Sequence, residues 1–203
     1  MKKNISILFL ICLPFLGFSN ETMSSLLERG KLSEVSGDYV EAVNLYKQVI
    51  SQDSSNYEAH LYLGNLYHTT NKLAKSLYHY NKAIKSDPSR TEGYFFRGNL
   101  QIDLGSVFGA VNDYTYALER DPNEMQFYMS RGFAYANMGD YYNAVNDYSI
   151  AIQINPEASK TYYNMAIARG MIENTDFVCV QITELKDEGY VRAELVHMNF
   201  CLK

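Results

Sequence analysis

Two consecutive stretches of 34 residues decide the fold: TEGYFFRGNLQIDLGSVFGAVNDYTYALERDPNE over 91–124 and MQFYMSRGFAYANMGDYYNAVNDYSIAIQINPEA over 125–158. When they are aligned, they share a glycine at position 8, a tyrosine at position 24 and a proline at position 32. These are Gly98 and Gly132, Tyr114 and Tyr148, and Pro122 and Pro156. Coincidences at one fixed spacing predict a structural repeat of 34 residues.

The same period extends the repeat in both directions. Pro88 lies 34 residues before Pro122, and the period then defines five units, 23–56, 57–90, 91–124, 125–158 and 159–190. In each unit, apolar and small residues recur at steps of three and four on two segments, which is helical periodicity. Position 15 is Gly37, Asn71, Gly105 or Gly139 in the first four units. Such residues favour a turn, so each unit is predicted to be a helical hairpin.

Leu63-Gly64, Tyr67, Tyr80, Ala83 and Pro88 resemble the signature of the tetratricopeptide repeat. The resemblance runs from residue 23 to about residue 190 and is strongest over 91–158. It implies an all-α fold, an α-solenoid of about five helical hairpins. The last unit departs from the pattern and has no proline, and its tail resembles a Sel1-like repeat. A final apolar stripe predicts a C-terminal capping helix over 191–203, because the last hairpin has no neighbour to cover it.

The recurrent positions are interpreted as packing positions. Glycine or alanine at position 8 is predicted to face the small residue at position 20, with the position-24 tyrosine beside them. Arg97 with Asp113 and Arg131 with Asp147 occupy positions 7 and 23 of the two best units. Because the pair recurs with the repeat period, it is interpreted as a structural ion pair and not as a catalytic one.

The N-terminus has the order of a signal peptide. A basic start, Met1-Lys2-Lys3, precedes an apolar run that ends near Phe18. This run is too short for a stable membrane span. The expectation is cleavage after Ser19, which leaves 20–203 as an exported solenoid in the periplasm or at the cell surface. Retention of 1–19 as an anchor is the alternative.

The composition and motifs exclude several function classes. The net charge is −5, and the sequence has no run of Lys or Arg residues. Both features argue against nucleic acid as a partner. No phosphate loop, nucleophile elbow or metalloprotease motif occurs, so no enzymatic activity, metal or cofactor is expected. Histidines 60, 68, 79 and 197 are interpreted as core or surface residues. Cys179 and Cys201 are expected either to form a disulfide or to remain thiols, with Cys179 buried.

The resemblance also implies a binding surface. In tetratricopeptide repeat proteins the first helices of the hairpins line a concave groove that holds peptides or partner helices. Carried over to positions 5 and 9, the groove residues are Leu61, Asn65, Phe95, Asn99, Met129, Phe133, Tyr163 and Ile167. The alternative is that the apolar residues at position 5 pack between units. The predicted function is a protein-binding scaffold for a peptide segment or protein, and the alternative is a self-associating structural subunit.

Overall fold

The computed structural model describes residues 22–172, and all regular secondary structure within that range is α-helical. Each predicted unit begins where an observed helix begins, which confirms the all-α solenoid of helical hairpins. The nine helices within 22–172 are α1 (Met23–Val35), α2 (Tyr39–Gln52), α3 (Tyr57–Thr69), α4 (Leu73–Ser86), α5 (Thr91–Asp103), α6 (Val107–Arg120), α7 (Met125–Asn137), α8 (Tyr141–Ile154) and α9 (Ser159–Ile172).

Several predictions made from the sequence concern residues outside 22–172. The leader 1–19, the second helix of unit 159–190 with its Sel1-like tail, and the cap 191–203 lie outside the described residues. Cys179 and Cys201 also lie outside them. Four complete hairpins and the first helix of a fifth are therefore the part of the solenoid that the structure describes.

Each hairpin turns at position 15, as the sequence predicts. Gly105 has φ +74° and Asn71 has φ +55°, both in the left-handed region where most side chains are strained. In the second, third and fourth hairpins, the second helix ends just before an Asp-Pro or Asn-Pro pair. At Asp87, for example, the carboxylate accepts hydrogen bonds from the backbone N–H and the hydroxyl of Ser89, so the chain leaves α4 in a fixed direction.

The order of helix contacts gives the solenoid its curvature. Every helix packs against the next one along the chain. The odd-numbered helices also touch one another in succession, whereas within 22–172 no even-numbered helix touches another even-numbered helix. The odd-numbered helices therefore line the concave side and the even-numbered helices face outward. In the same range no helix is long and apolar enough to cross a membrane.

Tyrosines at position 24 form the centre of each hairpin. Tyr46, Tyr80, Tyr114 and Tyr148 are each at most 1% exposed. A Cβ atom added to Gly98 would lie 2.6 Å from Cε1 of Tyr114. The ring at position 24 therefore fills the space beside the glycine, as predicted. Position 20 also faces the glycine in the second hairpin, where the Ser76 hydroxyl donates to the carbonyl of Gly64 at 2.8 Å.

Two arginines join consecutive hairpins. Arg131 makes two hydrogen bonds to the Asp147 carboxylate, at 2.8 and 2.9 Å, and a third at 3.1 Å to the Thr115 hydroxyl of the preceding hairpin. Arg97 repeats this arrangement with Asp113 and, in the preceding hairpin, Asn81. The hydrogen bonds that Arg131 donates to the Asp147 carboxylate raise the pKa of Arg131. The predicted ion pairs are confirmed, and the structure adds their link to the neighbouring unit.

Candidate functional site: the concave groove

A cavity of about 300 Å³ opens on the concave side where α5, α7 and α9 meet. Because these three helices start at equivalent points of the repeat, residues at the same unit positions come side by side. The lining residues are Asn99, Ile102, Asp103, Tyr114, Gln126, Met129, Ser130, Phe133, Lys160 and Asn164. They combine an apolar floor with amide, hydroxyl and charged groups, which is a composition typical of ligand-binding clefts.

The apolar part of the cavity is centred on α7. Met129 is partly buried, and Phe133, four residues further along the same helix face, is 46% exposed. Ile102 contributes from α5. A phenylalanine with nearly half its surface in water gains free energy when a ligand covers it, so Phe133 is the strongest apolar anchor of the site.

A buried tyrosine fixes the orientation of Asn99. The hydroxyl of Tyr114 donates to Oδ1 of Asn99 at 2.7 Å. With its oxygen occupied, Asn99 directs its Nδ2 donors elsewhere, and no acceptor within residues 22–172 bonds to them. Tyr80 holds the equivalent Asn65 in the same way, also at 2.7 Å. Each asparagine is therefore positioned to donate to a backbone carbonyl of a bound chain.

The charged groups of the cavity lie on its two sides. Asp103, on α5, bonds to Nε2 of His68 at 2.6 Å across the gap to α3. Lys160 is exposed on α9. A ligand with a basic group toward α5 and an acidic group toward α9 therefore finds complementary charges.

A second cavity of about 320 Å³ continues the groove toward α9. Phe133 and Asn164 line both cavities, so the Phe133 ring stands between them. The other lining residues are Ala136, Asn137, Tyr141, Tyr148, Ile167, Ala168 and Met171. The two cavities are thus adjacent parts of one groove, and α7 and α9 line both of them.

Comparison with known proteins agrees with this geometry. Family models described as tetratricopeptide repeat match residues 27–91 and 126–158. The chain contains tetratricopeptide repeats. No curated protein matches its sequence.

Solved structures of tetratricopeptide repeat type share the fold. MamA protein is 21% identical, with a TM-score of 0.73 over 90% of this chain and 97% of that chain. A tetratricopeptide repeat protein from Parabacteroides merdae is 24% identical, with a TM-score of 0.74 over 82% of this chain and 66% of that chain. YrrB, described as a TPR protein with an unusual peptide-binding site, is 17% identical, with a TM-score of 0.72 over 89% and 90%. At these identities the likeness concerns the fold.

The structure divides the predicted groove residues of these repeats into two groups. Asn99, Met129, Phe133 and Ile167 line the two cavities. Leu61 is 5% exposed and packs with Tyr57, Tyr80 and Leu100 in the core, so assigning it to the groove is wrong.

Phe95 also belongs to the packing between hairpins. Its ring centroid lies 5.1 Å from that of Phe127 and 6.0 Å from that of Tyr114. At units 57–90 and 91–124 the alternative prediction, packing at position 5, therefore describes the structure. Tyr163 is 37% exposed and lines neither of the two cavities. Asn65 lines neither cavity and is held by Tyr80 on the same concave side.

The groove residues predicted at positions 5 and 9 do not include the polar side of the groove. Lys160, Ser130 and Asn164 occupy positions 2 and 6 of their units. On α7, Gln126, Ser130 and Phe133 follow each other at steps of four and three, which places them on one stripe of a helix. The stripe can be identified in the sequence by stepping from position 9 back to positions 6 and 2 of the same helix.

Two histidines, His60 and His79, are in contact in the second hairpin. Within residues 22–172, no three metal-ligating side chains lie close enough to hold a metal ion. Nδ1 of His60 lies 3.0 Å from Nδ1 of His79, and Nε2 of His60 lies 3.2 Å from the carbonyl of Ser54. A carbonyl only accepts, so His60 carries its proton on Nε2 and accepts from His79 at Nδ1. This closed chain of hydrogen bonds agrees with the interpretation of these histidines as core residues.

Proposed function

We propose that this protein is an exported, non-enzymatic scaffold that binds an extended peptide segment of a protein partner in the concave groove. The observation that carries the proposal is the pair of consecutive cavities separated by the exposed Phe133 ring, with the Asn99 amide held by Tyr114 beside them. Apolar pockets supply affinity and oriented amide donors fix the register of a bound backbone.

The spacing of the groove favours an extended ligand. Packed helices are about 8–10 Å apart, and an extended chain rises about 3.3 Å per residue. A peptide therefore advances about three residues for each hairpin it passes. Side chains about three residues apart would enter the two cavities on either side of Phe133.

The Phe133→Glu variant tests this proposal. Peptides are selected from a displayed random library on the full chain, synthesised, and titrated by fluorescence anisotropy. We expect Phe133→Glu to weaken binding at least tenfold, because burial of a phenylalanine contributes about 1.5–3 kcal/mol and the new carboxylate would be desolvated.

Phe108→Glu is the matched control. Phe108 is 74% exposed on α6, which belongs to the outward-facing set of helices. The Phe108→Glu variant carries the same type of substitution outside the groove, and its peptide affinity should equal that of the parent. Equal affinity of all three proteins, or equal losses in both variants, would place the peptide outside the groove.

Export is the second part of the proposal, and it is supported by the order of charge and hydrophobicity in residues 1–19. When the gene is expressed in its host, the intact mass of the protein recovered from the envelope fraction should correspond to a chain that starts at Asn20. A cytoplasmic protein that retains Met1 would contradict export.

One observation favours the alternative, a self-associating structural subunit. Leu32 is 68% exposed at position 10, where Leu66, Leu100, Ala134 and Ala168 are at most 1% exposed because another hairpin covers them. A second molecule could cover Leu32 in the same way. Light scattering of the samples used for the titration separates the two functions, since self-association raises the mass with concentration and the scaffold alone does not.

A further inference from the structure

A separate cavity of about 260 Å³ lies on the outward-facing side, between α2 and the second hairpin. We call it the convex pocket. Its lining residues are Tyr39, Val40, Val43, Asn44, Lys47, Leu66, Tyr67, Thr70, Lys72 and Lys75. It shares no residue with the concave groove, so what it binds does not depend on the function proposed above.

Three lysines give the convex pocket its charge. Nζ of Lys72 and Nζ of Lys75 lie 5.9 and 5.5 Å from the centroid of the Tyr67 ring, and Lys47 faces the same space from α2. No carboxylate of the described chain lines the pocket, and no ion pair between described residues includes these lysines. The 14 residues of α4 contain neither aspartate nor glutamate.

This positive charge helps to lower the pKa of a neighbouring side chain, that of His79. The pKa of His79 is lowered to about 4, first by burial and then by the positive fields of His60, Lys47 and Lys75. His79 packs against the ring of Tyr67, which lines the pocket, with centroids 5.4 Å apart. In a chain with a net charge of −5, three lysines around one cavity without a carboxylate among its lining residues are a local excess of positive charge.

The floor of the pocket is apolar. Val40 is 75% exposed and Tyr39 is 41% exposed, and the partly buried Val43 continues this apolar surface inward. Leu66 and Tyr67 are 1% and 5% exposed and close the back of the pocket. A free inorganic anion would contact the lysines and leave this floor in water. A peptide covers both, because its carboxylates can pair with the lysines while an apolar side chain covers the floor.

We propose that the convex pocket binds an acidic peptide segment, with one apolar side chain on Tyr39 and Val40 and flanking carboxylates on Lys47, Lys72 and Lys75. The ligand class follows from the charge of the rim and the apolar floor together. The pocket is a second attachment point, on the side of the solenoid opposite the groove.

The experiment titrates the full chain with the fluorescein-labelled peptide EELEEFEE and with its basic counterpart KKLKKFKK. We expect the acidic peptide to bind and the basic peptide not to bind. The triple variant Lys47→Gln/Lys72→Gln/Lys75→Gln should weaken acidic-peptide binding about tenfold, since it removes three exposed charge pairs that each contribute modestly. Raising the salt from about 0.05 M to about 0.3 M should also weaken binding.

The control variant is Lys31→Gln/Lys82→Gln/Lys85→Gln, which removes the same charge from lysines outside the pocket. It should bind the acidic peptide as the parent does, and so should Phe133→Glu. The proposal is overturned by absence of binding to the parent, by equal losses in the two lysine variants, or by loss in Phe133→Glu, which would move the peptide to the groove. Competition by inorganic phosphate as strong as that by unlabelled peptide would also overturn it in favour of a small anion.

Discussion

Asp147→Ala is expected to lower the free energy of unfolding by about 3–5 kcal/mol, because it leaves the Arg131 guanidinium largely buried without its counter-charge. The Asp147 side chain is 2% exposed and that of Arg131 is 17% exposed, so water cannot replace the lost carboxylate. Arg131 would keep only its hydrogen bond to Thr115. Urea denaturation followed by circular dichroism measures the loss, and hydrogen exchange should show it concentrated in α7 and α8.

The double variant Arg131→Met/Asp147→Leu separates the charge from the loss of packing. Replacing both members of a buried ion pair by apolar residues of similar size is often neutral. We therefore expect the double variant to recover most of the stability that Asp147→Ala loses. If it is as unstable as the single variant, the large effect comes from packing or hydrogen-bond geometry and not from an unpaired charge.

Gly98→Leu is expected to cost about 3 kcal/mol by overpacking. The space beside Gly98 is filled by the Tyr114 ring, and that ring cannot move away easily. It is 1% exposed, and its hydroxyl is held by Asn99. Because contacts in a solenoid are made between neighbours, hydrogen exchange should show faster opening in the third hairpin and in the adjacent ones.

Ala74→Leu is the matched control for this variant. Ala74 is an exposed position of α4, so a leucine there adds the same side chain to a helix without entering the core. Its free energy of unfolding should stay within about 0.5 kcal/mol of the parent. Similar losses for both variants would show that the tyrosine contact does not restrict position 8. Since Asn99 loses its fixed orientation when Tyr114 shifts, Gly98→Leu should also weaken groove binding.

Much of the fold could be predicted because the same residue types recur at the same unit positions and impose the same physical constraint in several hairpins. The turn at Gly105, the end of α4 before Pro88 and the Arg131–Asp147 pair each follow from residue types at fixed positions. Periodicity gives the face of a helix, however, and not the distance to its neighbour. It therefore predicts that the Tyr114 ring lies beside Gly98, but not that a Cβ atom at Gly98 would lie only 2.6 Å from Cε1 of that ring.

The candidate site could be predicted only in part for a related reason. Phe95 and Met129 occupy the same unit position, yet the ring of Phe127 covers Phe95 whereas Met129 opens into the groove. Which of two equivalent residues is covered depends on the size of side chains in the next hairpin, and this is a three-dimensional property. The convex pocket was missed because its lysines come from two different units and share no repeat position.

The arginine bridges carry a consequence for how such a chain can grow. The outer hydrogen bond of Arg97 ends on an amide, Asn81, and that of Arg131 on a hydroxyl, Thr115, at the same unit position. The connection between two hairpins therefore accepts different chemical groups as the acceptor. Unit 91–124 carries both an arginine that donates to the hairpin before it and an acceptor for the arginine of the hairpin after it. A tandem duplication of that unit would find its connections already in place, so the length of the groove can evolve by whole steps without redesign of the joints.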